Sequence, residues 1–111
     1  MKVIIAGGRD HELSEDDFAR LDQEVGEEIS LVISGGASGV DASGECWARS
    51  RGVPVEVVEA RWQELGRKAG PIRNEEMAKK ADVVVLFPGG KGTGSMARLA
   101  KRHGLRVIDL R

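Results

Sequence analysis

Two glycine-rich segments of this sequence could bind an anion through their backbone. In the segment PGGKGTGS, Gly89, Gly90 and Gly92 precede a predicted helix, and Thr93 adds a hydroxyl donor. Free backbone N–H groups and the partial positive charge of a helix N-terminus attract phosphate. Lys91 lies in the same segment, although a lysine in a surface turn is more often solvated than bound to a ligand. Taken alone, the segment fits either a phosphate cradle or a flexible turn.

The second segment, SGGASGVD, joins a predicted strand to a predicted helix. It contributes the candidate ligand-binding residues Gly35, Gly36, Ser38, Gly39 and Asp41, the last of which could hold a ribose or a base. The segment lacks the Gly-Lys-Ser/Thr ending of a Walker A loop and is not a GxGxxG fingerprint. An anion-binding loop and a tight turn that needs positive φ are equally good interpretations.

Arg73 and Asn74 lie in the segment GPIRNEEM, where Pro71 is predicted to be the first residue of a helix. A cation in the first turn of a helix is disfavoured, so Arg73 needs a partner. An anionic ligand is one candidate, and a salt bridge to Glu75, Glu76 or another carboxylate is the other.

Other chemically active side chains give weaker signals. Gly8 and Arg9 follow the first predicted strand, where Arg9 either neutralises a phosphate or fills a turn. Neither histidine has a nucleophile partner in the sequence pattern, and the single cysteine, Cys46, is predicted to be a buried helix residue. Trp62 either stacks on a base or packs its loop onto the domain.

Alternating strands and helices must position these residues. Apolar, β-branched runs predict five strands at residues 2–6, 29–33, 55–58, 82–87 and 105–110. Helices are predicted between them, with a Ser14 and Asp17 capping box at the first and a loop with one helical turn at residues 59–70. This alternation predicts an α/β fold: a single Rossmann-like domain over residues 1–111, with a five-stranded parallel sheet and helices on both faces.

Composition excludes several classes of function. The 111 residues carry a formal net charge of −1 and only four aromatic residues, which disfavours nucleic acid as a partner. One cysteine and two distant histidines give no metal-ligand spacing, and no cofactor motif is present. The apolar runs are too short to cross a membrane and no signal peptide is visible, so a cytoplasmic location is expected.

Four segments in this order, GGRD, SGGASGVD, GPIRNEEM and PGGKGTGSM, resemble the SLOG superfamily, and in particular its small YspA-type, cpYpsA-related branch. The resemblance implies a protein that binds a nucleotide or a nucleotide derivative. It also implies that self-association into a homo-oligomer is common among relatives, although nothing in the sequence fixes a number of subunits. Ser38 departs from the branch, whose pattern usually has arginine there.

Two more distant relatives give alternative functions. LOG enzymes, the lysine decarboxylase-like members, hydrolyse nucleoside monophosphates and carry a glutamate where this chain has Met96, which cannot exchange a proton. DprA proteins have a similar fold and bind single-stranded DNA, which the charge balance of this chain fits least. The favoured hypothesis is nucleotide binding, and catalysis remains open because Asp41 or Asp10 could supply a carboxylate.

Overall fold

Five short apolar runs form one parallel sheet in the computed structural model, which describes residues 1–111. The strands are β1 (Lys2–Ala6), β2 (Leu31–Ser34), β3 (Val55–Val57), β4 (Val83–Leu86) and β5 (Arg106–Asp109). They lie in the order β3-β2-β1-β4-β5, and every neighbouring pair is parallel. The predicted α/β class with a five-stranded parallel sheet is confirmed.

Helices cover both faces of this sheet. One core cluster joins Val3 and Ile5 of β1 to α1 (Glu15–Val25) and α2 (Val40–Ser50). The other joins Ile4 and Ala6 to α4 (Ala69–Lys80) and α5 (Lys91–Arg102). Successive residues of a strand face opposite sides of the sheet, so an unbroken apolar run fits a strand that is buried on both faces. The central strands β1 and β4 therefore belong to both cores.

The segment at residues 59–70 differs most from its predicted structure. It forms the short helix α3 (Trp62–Leu65) and a 3-10 turn (Gly66–Lys68), and α4 then begins at Ala69. Pro71 is thus the third residue of α4 and not the first. Proline is accommodated there because the first four N–H groups of a helix have no acceptor within it. Arg73 was predicted to lie in the first turn of this helix, but the earlier start of α4 places it in the second turn.

Two further local predictions have opposite outcomes. The capping box of α1 is confirmed, since Asp17 N–H donates to Ser14 Oγ and Ser14 N–H donates to Asp17 Oδ2. Cys46 is exposed, so the prediction that it is buried was wrong; the neighbouring Trp47 enters the core instead.

The strand order places a topological switch point between β1 and β4. The chain leaves β1 toward β2 on one side, and later returns to add β4 on the other side. In parallel α/β sheets, the crevice beyond the carboxyl ends of two such strands is where ligands bind. None of the helices has the length and apolar character needed to cross a membrane.

Candidate functional site

A cavity of about 620 Å³ opens at this switch point. The loop after β1 and the loop after β4 form two of its walls, and residues of the β2–α2 loop and of α4 form the others. The loops of β1 and β4 are joined directly, because Gly8 N–H donates to Pro88 O at 2.9 Å. The volume lies within the usual range for small-molecule sites, about 300–1,000 Å³.

The N-terminus of α5 supplies unpaired backbone donors to this cavity. The helix begins at Lys91, earlier than the glycine pattern indicates, so Gly92 and Thr93 belong to its first turn. The N–H groups of Lys91, Gly92 and Thr93 donate to no acceptor in the protein, and the first paired amide of the helix is that of Gly94, which bonds Gly90 O. All three residues line the cavity. The arrangement can therefore bind an anion.

Arg73 reaches the cavity from α4 without a carboxylate partner. Its Nη1 donates to Gly35 O at 2.6 Å and its Nε donates to Asn74 Oδ1 at 2.9 Å. The predicted alternative, a salt bridge to Glu75 or Glu76, was wrong, since these residues pair with His103 and Arg61 respectively. Burial lowers the pKa of Arg73, although the nearby carboxylate of Asp41 opposes this. The guanidinium charge is thus held at the cavity by hydrogen bonds to neutral groups.

Asp41 lies across from Arg73 in the first turn of α2. Its Oδ2 accepts a hydrogen bond from Ala37 N–H at 3.2 Å. Burial raises the pKa of this carboxyl, against the lowering effects of that hydrogen bond and of the Arg73 charge. A carboxyl with a raised pKa in a cavity is a candidate for proton exchange with a ligand.

Gly35 allows Arg73 and Asp41 to approach each other. A Cβ atom on Gly35 would lie 2.7 Å from Arg73 Nη1 and 2.9 Å from Asp41 Oδ2. Any larger residue at this position must therefore displace the two charged groups. The sequence predicts an anion-binding amide at Gly35, and the structure shows in addition that the missing side chain leaves space for Arg73 and Asp41.

The structure brings most of the predicted site residues to one place. The first cavity is lined by Gly8, Arg9, Gly35, Asp41, Arg73, Asn74, Gly89, Gly90, Gly92 and Thr93. Gly36 and Ser38 line only an adjoining second cavity, of about 420 Å³. Gly39 lines neither, because its φ of +74° and its contact with the backbone of Gly8 and Arg9 hold it against the β1 loop.

Several residues that line the first cavity were not among the predicted binding residues. They are chiefly Asp10, His11, Pro88, Lys91 and Met96. Asp10, His11 and Lys91 have no sequence pattern that marks them individually as binding residues. Each is next to predicted binding residues in its loop, and this proximity in sequence could have indicated that they line the cavity. No group of three or more His, Cys, Asp or Glu residues is arranged to hold a metal ion.

Comparison with known proteins agrees with this architecture. The family model YAcAr, described as the YspA, cpYpsA-related SLOG family, matches residues 1–65, more than half of the chain. The chain belongs to the YspA, cpYpsA-related SLOG family. The matched part of this SLOG-family chain includes the loops after β1 and β2 but not α4 or α5.

One curated relative and two solved structures extend the comparison. Gene 61 protein of Mycobacterium phage D29 is 40% identical and covers 71% of this chain, which in turn covers 70% of that protein. DNA processing protein A (DprA) from Streptococcus pneumoniae has a TM-score of 0.76 at 18% identity over 97% of this chain, which spans 49% of the DprA chain. TM1055, a structural genomics target, has a TM-score of 0.69 at 21% identity, over 96% of this chain and 71% of its own. These two likenesses establish a shared fold.

Proposed function

We propose that this chain binds a nucleotide or a nucleotide derivative with a phosphate group in the switch-point cavity. Unpaired backbone donors and a guanidinium that forms no salt bridge meet at this cavity. Three unpaired amides of α5 and the guanidinium of Arg73, which has no carboxylate partner, line the same cavity. The guanidinium supplies a positive charge for a phosphate, and the amides supply hydrogen-bond donors.

The remaining predicted residues have roles consistent with this arrangement. Arg9 is an exposed cation at the cavity mouth and would add charge. Asp41 and Asn74 present a carboxyl and an amide that would bind ribose hydroxyls. Family membership and the fold shared with DprA support a role related to nucleotides.

A thermal-shift comparison of AMP with adenosine tests the proposal. A ligand that binds only the folded state stabilises it by RT ln(1 + c/Kd), where c is the free ligand concentration, and so raises the melting temperature. AMP, or another nucleoside monophosphate in a panel, should raise the melting temperature, and the matching nucleoside should have a much smaller effect. The proposal fails if no nucleotide stabilises the chain. A single-stranded DNA oligonucleotide at low salt serves as the test of DNA binding of the DprA kind.

Hydrolysis of the N-glycosidic bond is a second candidate, favoured specifically by Asp41. Its carboxyl lines the cavity and burial raises its pKa, as a general acid or base requires. Met96, at the position of the LOG glutamate, is buried and lines the same cavity without a group that titrates. This reaction would be established if the wild type releases adenine from AMP and the Asp41→Ala variant does not. Binding of AMP without release of adenine would leave nucleotide binding as the function.

A further inference from the structure

The second cavity shares a wall with the first. Arg9, Gly35, Ala37 and Arg73 line both, so the two cavities adjoin each other. Beyond the shared wall, the second cavity is bounded by Gly36 and Ser38 on one side and by Glu59, Ala60 and Trp62 on the other. A ligand whose phosphate is bound at α5 and Arg73 therefore has room to continue past the two arginines.

Trp62 has an unusual environment for a tryptophan. It is 50% exposed, although indole is among the most strongly buried side chains on average. One edge of its ring packs on Gly70, where a Cβ would lie 3.1 Å from Trp62 Cη2. The other tryptophan, Trp47, is fully buried and donates from Nε1 to Asp22 Oδ1 at 2.9 Å. Trp62 is thus supported along one edge while much of its ring surface is left open.

The charges along the two adjoining cavities differ from one end to the other. The shared wall carries the cations Arg9 and Arg73, whereas the far end carries the exposed carboxylate of Glu59 beside the indole of Trp62. A second phosphate at the far end would be repelled by Glu59. A flat, neutral group with N–H donors fits it instead, since the ring can stack and the carboxylate can accept.

We infer that the second cavity is a nucleobase subsite, in which the base stacks on Trp62 and its N–H groups donate to Glu59. The inference rests on the proposed function, because it takes the phosphate in the first cavity as the anchor of the ligand. Stacking on an aromatic ring tolerates any base, so Trp62 contributes affinity for nucleotides as a class.

The test compares AMP with ribose 5-phosphate, which keeps the phosphate and lacks the base. Calorimetric titrations are made on the wild type, on Trp62→Ala and on Trp62→Phe, which retains an aromatic ring. Trp62→Ala should weaken AMP by about 5- to 150-fold and leave ribose 5-phosphate unchanged. Trp62→Phe should retain most of the affinity for AMP. In the wild type, AMP should also change tryptophan fluorescence, which Trp62 reports because Trp47 is buried.

The remaining outcomes separate the two proposals. If AMP binds and Trp62→Ala leaves its affinity unchanged, the base subsite is wrong and the phosphate site stands. If Trp62→Ala weakens both ligands equally while Trp62→Phe does not, Trp62 only supports the loop, and the inference is again overturned. If neither ribose 5-phosphate nor any nucleotide of the panel binds the wild type, the proposed function fails and the base subsite fails with it. Thermal melts of both variants establish that they are folded.

Discussion

In the proposed phosphate site, Arg73 is the side chain whose removal should weaken binding most. It has no carboxylate partner, and its hydrogen bonds to Gly35 O and Asn74 Oδ1 leave other guanidinium donors free for a ligand. Arg73→Ala should weaken AMP binding by about 10- to 150-fold, because a hydrogen bond to a charged group contributes roughly 1.5–3 kcal/mol. Calorimetric titration measures this loss.

Lys91 provides a matched control in the same cavity. It is exposed at the N-terminus of α5, so solvent screens its charge. Lys91→Ala should reduce the affinity for AMP by at most about fivefold. An Arg73→Ala variant that binds AMP as tightly as the wild type would show that the phosphate lies elsewhere.

Asp41 should make the stability of the protein depend on pH. Burial raises its pKa above the ordinary value of 3.8, so the folded chain keeps this proton to higher pH than the unfolded chain does. Between the two pKa values the folded state binds more protons, and the free energy of unfolding therefore falls as the pH rises. At a pH below both pKa values, Asp41 does not destabilise the folded protein. At a pH above both, its ionisation has its full destabilising effect.

Asp41→Asn removes this titration and keeps an acceptor for Ala37 N–H. Other carboxylates, among them Asp22 with its lowered pKa, titrate in both proteins, so the difference between the two isolates Asp41. Urea unfolding from about pH 3.5 to pH 7 should show the variant gaining stability relative to the wild type as the pH rises. A difference that stays constant over this range would mean that Asp41 is not perturbed by burial.

Two glycines near the start of helix α5, Gly89 and Gly92, differ in the space around their Cα atoms. A Cβ on Gly89 would lie 2.7 Å from Gly8 N and would overlap Thr93 Oγ1, whereas a Cβ on Gly92 would meet nothing within 4 Å. Gly89→Ala should therefore destabilise the protein by about 1–3 kcal/mol, since it separates the β1 and β4 loops. Gly92→Ala should be neutral or stabilising by up to about 1 kcal/mol, because alanine favours the helix.

Urea unfolding of the two variants measures both effects under the same conditions. The sign of the difference is the test, since both substitutions add the same methyl group within four residues of sequence. Equal stabilities of Gly89→Ala and Gly92→Ala would show that the close contact between the β1 and β4 loops at Gly89 does not stabilise the protein.

The sequence predicted elements well where a local signal decides the structure. The apolar β-branched runs specify strands such as Val83–Leu86, and the Ser14 and Asp17 pair specifies the start of α1. The segment at residues 59–70 has weak periodicity, so tertiary contacts determine its helical turns and the early start of α4. The early start of α4 places Arg73 in the second turn of the helix. Pro71, which is predicted to be the first helical residue, could not indicate that the helix begins two residues earlier.

At the scale of the whole molecule, topology assembles the site. Loops that follow parallel strands meet at one edge of the sheet, and the strand order places the β1 and β4 loops next to each other. What could not be predicted is pairing between distant side chains. His103 with Glu75 and Arg61 with Glu76 are contacts of the folded chain, and neither glutamate forms a salt bridge with Arg73.

If the switch-point cavity binds the phosphate of a nucleotide, AMP should perturb the amides that line this cavity, and an NMR titration measures the perturbation. Amide chemical shifts of the ¹⁵N-labelled protein are followed as AMP is added. We expect saturable changes concentrated at residues 7–11 and at the N-terminal amides of α5, Lys91, Gly92 and Thr93, with the edge strand β5 unaffected and with smaller changes in Arg73→Ala. Saturable changes that leave these amides unmoved, or no changes with any nucleotide, would show that the phosphate does not bind in this cavity.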